Sequence, residues 1–527
     1  MDSLTVLTFL PLVGALLVMA MPASKTKAIR LVALATTVIT GVIGLSIYAG
    51  FDGASAAMQN TCEAPWFTLP GTDIEVAFRL GLDGISVLMI GLTAIIMPIV
   101  ILSTYGHIHD RVKEFFIWML IMETGMLGVF LSTDIILFYV FWEVSLVPLY
   151  FLVGIWGGDQ RIYATVKFFL YTVAGSLVML VAIIAMIMTL GTTNMETLMA
   201  TASSLPVADQ SWMFFAFALA FCIKVPVLPF HTWLADAHTQ APTSGSVLLA
   251  GVLLKMGTYG LIRFAIGFFP MMALEHQGLF MALGAIGIVY GAFLAMAQTD
   301  IKRLIACSSV SHLGFVVMGM FALNEIGLRG SILQMVNHGL STGLLFLLIG
   351  MVYERRHTRL ISDFGGIAAS MPIFALFFII SMLSSVGLPG LNGFVGEFMI
   401  LAGSFEASPM WGAIGVTGVI FGAIYLLSAT RRMLFGPLTR DENRNLTDIN
   451  FREIGLMLPM IILCFWMGVQ PNAFLDKIDG SIGGEGGLMQ RIEAAEEQLL
   501  LNAASTQEAT AALSAIQLDE NLTEVSR

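Results

Sequence analysis

Apolar runs of about 20 residues, separated by short polar segments, extend along most of this chain. An α-helix needs a run of this length to cross a membrane, whereas strands of a membrane barrel would show shorter, alternating segments. The pattern predicts about 14 transmembrane helices, over residues 4–22, 30–50, 80–104, 115–132, 134–154, 168–190, 212–230, 245–267, 278–297, 304–321, 330–352, 372–404, 411–430 and 453–470.

The composition agrees with an all-α polytopic membrane protein. Of 527 residues, 57% are hydrophobic and 12% are charged, and the mean hydropathy is +0.87. Soluble chains carry about 25% charged residues. The start, Met-Asp-Ser, has no basic region, which favours a retained first helix over a cleaved signal peptide.

The basic residues predict the orientation, because cytoplasmic loops of membrane proteins are enriched in lysine and arginine. One set of loops contains seventeen of them: Lys25, Lys27, Arg30, Arg111, Lys113, Arg161, Lys167, Lys302, Arg303, Arg355, Arg356, Arg359, Arg431, Arg432, Arg440, Arg444 and Arg452. The opposite loops and helix ends contain three: Arg79, Arg263 and Arg329. We therefore expect the loops rich in basic residues to be cytoplasmic, and the N-terminus and the C-terminal tail (471–527) to lie on the opposite side of the membrane. The tail is rich in Ala, Glu, Leu and Gln, which predicts amphipathic helices or partly disordered sequence.

Two lysines interrupt apolar runs, Lys224 in the seventh predicted helix and Lys255 in the eighth. An ammonium group in a bilayer costs at least a few kcal/mol, so such residues face a protein interior or a water-filled path. Pro226 and Pro229 follow the first lysine and predict a broken helix, a device that ion transporters use at midplane sites. The alternative is a structural charge satisfied by a neighbouring carbonyl.

Five further protonatable residues lie within predicted helices: Glu123, Glu143, His312, His338 and Glu397. Each alone could be structural, but together with the lysines they indicate a polar axis through the bundle. Burial disfavours the charged form of both lysine and glutamate, so either can exchange protons near neutral pH, with histidine as an intermediate relay. We predict proton transfer along this axis, with Glu143 and Lys224 as an interacting pair.

A second break resembles the first. Leu228-Pro229 in the seventh helix is matched by Leu388-Pro389 in the twelfth, where glycines recur every three residues from 387 to 396. Five helices separate the two breaks, and an odd number predicts two units with inverted orientation in the membrane. Two ordinary proline kinks are the alternative.

No cofactor or metal site is predicted in this chain. The four cysteines (62, 222, 307 and 464) are scattered without a Cys-x-x-Cys motif, and no phosphate-binding glycine motif occurs. Nucleic acid is not an expected partner.

Four segments together carry a resemblance to a known family: LPFHTWLADAHTQAPTSGSVLLAGVLLKMGTYGLIR (228–263), FWEVSLVPLYFLVGIWGG (141–158), TDIKRLIACSSVSHLGFV (299–316) and GLPGLNGFVGEF (387–398). Roughly residues 75–470 resemble the antiporter-like subunits of respiratory complex I. The glutamate of the last segment, where sister subunits tend to carry lysine, favours the branch of bacterial subunit M, the counterpart of mitochondrial subunit 4.

The resemblance implies a proton-translocating subunit of NADH:quinone oxidoreductase with 14 helices. Its parts would be helices 1–3 (1–114), a first five-helix repeat (115–267), an inverted second repeat (278–435), helix 14 (453–470) and the tail. Glu143 and Lys224 would be the gating pair, Lys255 with His312 or His338 the central relay, and Glu397 the terminal site, supported by Glu123, Pro226, Pro229 and Pro389. The resemblance also places NAD, FMN, iron–sulfur clusters and quinone in partner subunits, and implies sister antiporter-like subunits and lipids as neighbours.

Two other functions stay open from the sequence. A multi-subunit cation/proton antiporter shares the same helices, and a structural subunit that only assembles the membrane arm would need no proton path. Retained pumping after replacement of Glu143 or Lys224 would favour the structural subunit.

Overall fold

A computed structural model describes residues 2–504, and they form a bundle of membrane-length helices. Within this part of the chain thirteen helices are long and apolar enough to span a membrane: Ser3–Ala20, Thr26–Gly50, Gly84–Gly106, Val112–Leu131, Ile135–Trp156, Arg161–Leu190, Val207–Lys224, Thr243–Ile266, Gln277–Met296, Ile301–Met320, Glu325–Arg356, Pro409–Leu434 and Phe451–Val469. We number them as membrane helices 1–11, 13 and 14. They confirm the prediction of a multi-pass, mainly α-helical membrane protein.

Membrane helix 12 consists of two shorter pieces, Pro372–Val386 and Asn392–Ala407, separated by residues 387–391. Neither piece alone has the length of a membrane span, which is why this segment is absent from the thirteen. Helix 7 is also followed by a second piece, because the chain becomes helical again at Thr232–Gln240. Short helices outside the spans cover Met195–Thr201 and Pro270–Glu275.

Two helices were predicted too short at their polar ends. Helix 6, predicted over 168–190, begins at Arg161, and helix 11, predicted over 330–352, covers Glu325–Arg356. Both helices continue past the apolar run into charged turns. At the start of helix 11 the Asn324 side chain accepts a hydrogen bond from the backbone N–H of Gly327, which satisfies a free donor of the first turn.

The sequence interpretation missed a β-hairpin between helices 2 and 3. Strand β1 (Gln59–Thr68) pairs antiparallel with strand β2 (Glu75–Leu82). Most of β1 is exposed, whereas Val76, Ala77 and Leu80 of β2 are buried against the helices. The hairpin corrects the purely α-helical prediction at this one place among the described residues.

Helices 8, 10 and 11 form the centre of the bundle. The most apolar windows of helices 8 and 11 are completely buried, and that of helix 10 is 94% buried, against 33% for helix 13. Helices 9 and 10 approach closely at glycines: a Cβ added to Gly291 would stand 2.6 Å from the backbone nitrogen of Ser311. Polar side chains on the central helices are therefore shielded from lipid on all sides.

The first part of the C-terminal tail packs on the hairpin side of the molecule. It contains the short helices Asn472–Leu475 and Asp479–Gly483 and a helical stretch at 488–504. The N–H of Gly480 donates to the carbonyl of Gly53 at 2.7 Å, and the N–H of Gly84 donates to Ser481 Oγ at 2.9 Å. The predicted helical character is present here, while the prediction for 505–527 lies outside the described residues.

Candidate functional site

Lys224 is the last residue of helix 7, at the start of the break that contains Pro226 and Pro229. Neither proline has a backbone N–H to continue a helix. The lysine is 3% exposed, and its Nζ lies 5.2 Å from the centre of the Trp142 ring. In the described part of the chain no carboxylate oxygen lies within 4.0 Å of this ammonium group. The charge of Lys224 is thus held by aromatic faces rather than by a contacting acid.

Glu143 lies on helix 5, one residue after the tryptophan that faces Lys224. It is partly buried, and its Oε1 is enclosed without a hydrogen-bond partner among the described residues. Because the preceding Trp142 faces Lys224, Glu143 lies in the same region of the bundle, but among the described residues the two form no ion pair. Their functional interaction stays a prediction.

Lys255 and His338 make a direct contact in the centre of the bundle. Lys255 Nζ lies 2.7 Å from His338 Nδ1 and also donates to the carbonyl of Ala250. The lysine is completely buried, on a helix with two π-helical turns, Leu249–Leu253 and Leu261–Ile266. Such turns occur frequently at functional sites because they redirect side chains and carbonyls.

His312 extends this contact towards helix 12. Its ring centre lies 5.9 Å from that of His338, and its Nδ1 lies 3.1 Å from Glu397 Oε1. Tyr425 of helix 13 places its hydroxyl 3.5 Å from His312 Nε2. Gln334 of helix 11 donates to the same glutamate oxygen at 3.0 Å. Four predicted residues, from helices 8, 11, 10 and 12, therefore form one line.

Glu123 on helix 4 lies apart from this line. It is 1% exposed, and neither carboxylate oxygen has a hydrogen-bond partner within the described part of the chain. A buried acid without partners is costly unless it is protonated or hydrated. Pro389 lies in the break of helix 12, at the exposed turn that precedes Glu397.

Two buried residues of this region were missed from the sequence. His238, in the second piece of helix 7, is completely buried, stacks on Phe346 with ring centres 4.8 Å apart, and has no partner on either ring nitrogen among the described residues. Lys302 was counted as a loop residue, but it is 6% exposed and donates to the Ala241 carbonyl at 2.5 Å. A histidine inside the broken-helix motif was a signal that could have identified the first. The sequence contains no such signal for Lys302, because the burial of this lysine results from helix packing.

The arrangement suits proton transfer. Among residues 2–504 no group of three histidine, cysteine or acidic side chains could hold a metal ion, and the four cysteines are free. Lysine, histidine and glutamate in hydrogen-bonding distance can pass protons between neighbours, and water can bridge the remaining gap between the two imidazoles.

Comparisons with known proteins agree with this chemistry. The family model "NADH:quinone oxidoreductase/Mrp antiporter, TM" matches residues 132–422. Subunit M of NADH-quinone oxidoreductase from Rhodobacter capsulatus is 43% identical over 497 residues, covering 91% of this chain and 95% of the relative. Chain 4 of NADH-ubiquinone oxidoreductase from Arabidopsis thaliana is 40% identical over 481 residues, covering 91% and 96%.

A solved structure is similar over nearly the whole chain. Respiratory complex I from Thermus thermophilus with bound NADH contains a chain that superposes with a TM-score of 0.82 at 33% identity, covering 94% of this chain and 99% of that one. The present chain therefore belongs to the NADH:quinone oxidoreductase/Mrp antiporter membrane family, on the branch of NADH-quinone oxidoreductase subunit M.

Proposed function

We propose that this chain translocates protons as a membrane-arm subunit of NADH:quinone oxidoreductase. The observation that carries the proposal is the buried line Lys255–His338–His312–Glu397, in which two of the three steps are within hydrogen-bonding distance. Four protonatable side chains contributed by four helices are expensive to bury, and a proton path explains why they meet.

Lys224 supplies the input end of this line. The end of helix 7 lies against helix 8, where a Cβ added to Gly257 would stand 3.0 Å from Lys224 Cβ. Approach of Glu143 would stabilise the charged lysine, and the greater separation seen here favours release of its proton towards Lys255. Protons then reach Glu397 through the two histidines. Glu123, on the neighbouring helix 4, is a supporting group.

Electron transfer belongs to other subunits in this proposal. NAD, FMN, iron–sulfur clusters and quinone are bound by partner subunits, and this chain converts their reaction into proton movement. Sister antiporter-like subunits and lipids cover the exposed apolar faces of the outer helices.

The N-terminus and the tail from residue 471 face the periplasm of a bacterial inner membrane in this proposal. Two observations support this. The tail and the loop at Gly53 lie on one side, and the basic residues are concentrated on the other. The three basic residues of the loops and helix ends on the tail side, outside the tail itself, are all ion-paired: Arg79 with Asp134 at 3.2 Å, Arg263 with Asp83 at 2.5 Å and Arg329 with Asp479 at 2.8 Å. Reporter fusions at the C-terminus test it: an active cytoplasmic reporter there would reject this orientation.

The two inverted repeats remain part of the proposal, with 115–267 as the first unit and 278–435 as the second. The breaks after Lys224 and after Val386 support them, since each lies near one end of the proton line. The first break lies in the chain between Lys224 and helix 8, which carries Lys255, and the second lies before Glu397.

Replacement of Glu397 by glutamine tests the function directly. In membranes that contain the assembled complex, NADH:quinone turnover and the number of protons pumped per NADH should both fall. Co-purification with the NADH-binding subunits separates this function from a cation/proton antiporter. An assembled Glu397→Gln complex with normal pumping would reject the proton line.

A further inference from the structure

A second polar network lies beside Glu397, outside the line of protonatable residues, and extends from it to the break of helix 12. It consists of Gln334 and Asn337 on helix 11 and of Ser384 and Asn392 on the two pieces of helix 12. Each of the four residues is at most 2% exposed. Buried amides and hydroxyls are costly unless they are hydrogen-bonded, so the order of their contacts matters.

At one end the network holds the carboxylate. Glu397 Oε1 accepts from Gln334 Nε2 at 3.0 Å and contacts His312 Nδ1 at 3.1 Å. Gln334 in turn accepts through its Oε1 from Asn337 Nδ2 at 3.1 Å. The amide of Gln334 is therefore oriented by a carboxylate on one side and by an amide donor on the other.

At the other end the network crosses the break of helix 12. Asn337 Nδ2 also donates to the Asn392 carbonyl at 2.8 Å, and the Asn392 side-chain oxygen accepts from Ser384 Oγ at 2.6 Å. Ser384 belongs to the first piece of the helix, whereas Asn392 is the first residue of the second piece. The hydrogen bonds thus connect Glu397 with both sides of the broken segment.

One atom of the network is left without a partner among the described residues, the side-chain oxygen Oδ1 of Asn337. A buried amide oxygen without a donor destabilises the arrangement and calls for an explanation. Rotation of both amides would give Oδ1 a donor, because Gln334 would then turn an N–H towards Asn337 and Asn337 would turn its Oδ1 towards Gln334.

We propose that Gln334 and Asn337 are positioning residues whose amides rotate together when Glu397 gains a proton, and so report its protonation to the break of helix 12. The proposal rests on the proposed role of Glu397 as a proton site. In the structure Glu397 Oε1 lies within hydrogen-bonding distance of both Gln334 Nε2 and His312 Nδ1, so the carboxylate form can accept from both.

The second state follows from donor and acceptor balance. When Glu397 is protonated and His312 still donates, the carboxyl O–H needs a new acceptor. Rotated Gln334 supplies its Oε1 and directs its amide N–H groups to Asn337, which must then present Oδ1. This gives Asn337 Oδ1 a donor, moves its Nδ2 to the side where Oδ1 had no partner, and withdraws the donor from the Asn392 carbonyl. Protonation therefore weakens the link between helix 11 and the second piece of helix 12.

Gly396 leaves the space for these amides. A Cβ at this position would lie 2.8 Å from Asn337 Nδ2 and closer still to Gln334 Oε1. The amides therefore lie directly on the backbone of helix 12, one residue before Glu397. Any larger residue would push them off the carboxylate.

Infrared difference spectra of the purified complex across a pH jump test the proposal. The carboxyl band of Glu397 is identified as the band lost in Glu397→Gln. We expect wild-type protonation to be accompanied by an amide carbonyl change. In Gln334→Met that change should vanish, and the carboxyl band should move to higher frequency because the O–H loses its acceptor.

Pumping provides the second readout. Gln334→Met and Ser384→Ala should lower the rate of proton pumping about fivefold, the factor that corresponds to loss of one buried hydrogen bond. Ser384→Thr, which keeps the hydroxyl, should restore most of it. The matched control is Ser381→Ala, one turn earlier on the same helix, whose hydroxyl bonds only to the Phe377 carbonyl at 2.8 Å.

The outcomes separate the two proposals. Normal pumping in Glu397→Gln would remove the proposed function and this inference with it. Lost pumping in Glu397→Gln, with unchanged carboxyl and amide bands in Gln334→Met, would overturn the inference alone. Equal losses in Ser384→Ala and Ser381→Ala would also overturn it, because the effect would then be general packing damage.

Discussion

The ammonium group of Lys255 lies 2.7 Å from Nδ1 of His338, and both residues are almost completely shielded from solvent. Two positive charges at this distance in a poorly solvated site would repel strongly, so lysine and histidine cannot both be charged. The pair therefore carries at most one positive charge. Under the proposed function this exclusion suits a relay, because a proton arriving at one member would displace the proton of the other.

Replacing Lys255 with methionine should lower NADH:quinone turnover and pumping roughly tenfold or more, as expected when a group that transfers protons is removed. Methionine keeps the volume of the side chain, so assembly should be retained on native gels. Lys27→Met, at an exposed position in the first turn of helix 2, is the control and should behave as wild type. Normal pumping in assembled Lys255→Met would contradict the relay.

Glu143→Gln should lower turnover and pumping although Glu143 makes no ion pair here, because Lys224 then lacks any acid that can approach it. Glu143→Asp should keep part of the activity. Lys224→Ala and Lys224→Arg should both impair pumping, the latter because arginine does not release its proton. Both activities are measured in membranes with assembly checked on native gels. Fully assembled Glu143→Gln and Lys224→Ala complexes with normal pumping would rule out the gate.

Arg263→Gln should destabilise the chain, because it leaves Asp83 buried without its partner at 2.5 Å. Removal of one member of a buried ion pair costs roughly 3–5 kcal/mol. Thermal melting of the purified complex should show a lower transition temperature, with less assembled complex in membranes. Arg444→Gln, whose pair with Asp441 is largely exposed, should change stability by about 1 kcal/mol or less. Equal stability of Arg263→Gln and Arg444→Gln would contradict the expected contribution of the buried pair between Arg263 and Asp83.

Gly291→Val should prevent normal packing of helices 9 and 10, since even a Cβ would stand 2.6 Å from the Ser311 backbone nitrogen. Strain of this kind costs typically about 1–3 kcal/mol, and more when only backbone can move. The expected result is a reduced yield of assembled complex on native gels. Gly455→Ala is the control, because nothing lies within 4 Å of a Cβ at that position. An unchanged yield for Gly291→Val would show that the helices can separate there.

The helices and the protonatable residues of the line were predictable from the sequence. Long apolar runs predict the helices, and a lysine, histidine or glutamate inside such a run indicates a buried protonatable group. Lys255, His312, His338 and Glu397 meet as a connected set. The sequence could not predict which of the buried protonatable side chains are in contact. The expected contact between Glu143 and Lys224 is absent at ion-pair distance.

Other features depend on packing between distant segments. Helix packing buries Lys302 and brings its ammonium to the Ala241 carbonyl, which is 61 residues away in sequence. The hairpin was missed because its two short strands lie in a polar segment. A strand pattern there is a weak signal beside the long apolar runs of the membrane helices. Two π-helical turns around Lys255 likewise leave no mark in the order of residues.

The attachment of the C-terminal segment has a mechanical consequence. Gly480 and Ser481 bind the loop at Gly53 and the start of helix 3, and Asp479 binds Arg329 at the start of helix 11. The end of the chain therefore clamps helix ends that are hundreds of residues apart, on the face opposite the basic loops. These contacts resist separation of the helix ends that they join. We therefore expect rearrangement during turnover to involve the broken helices and the buried side chains rather than these helix ends.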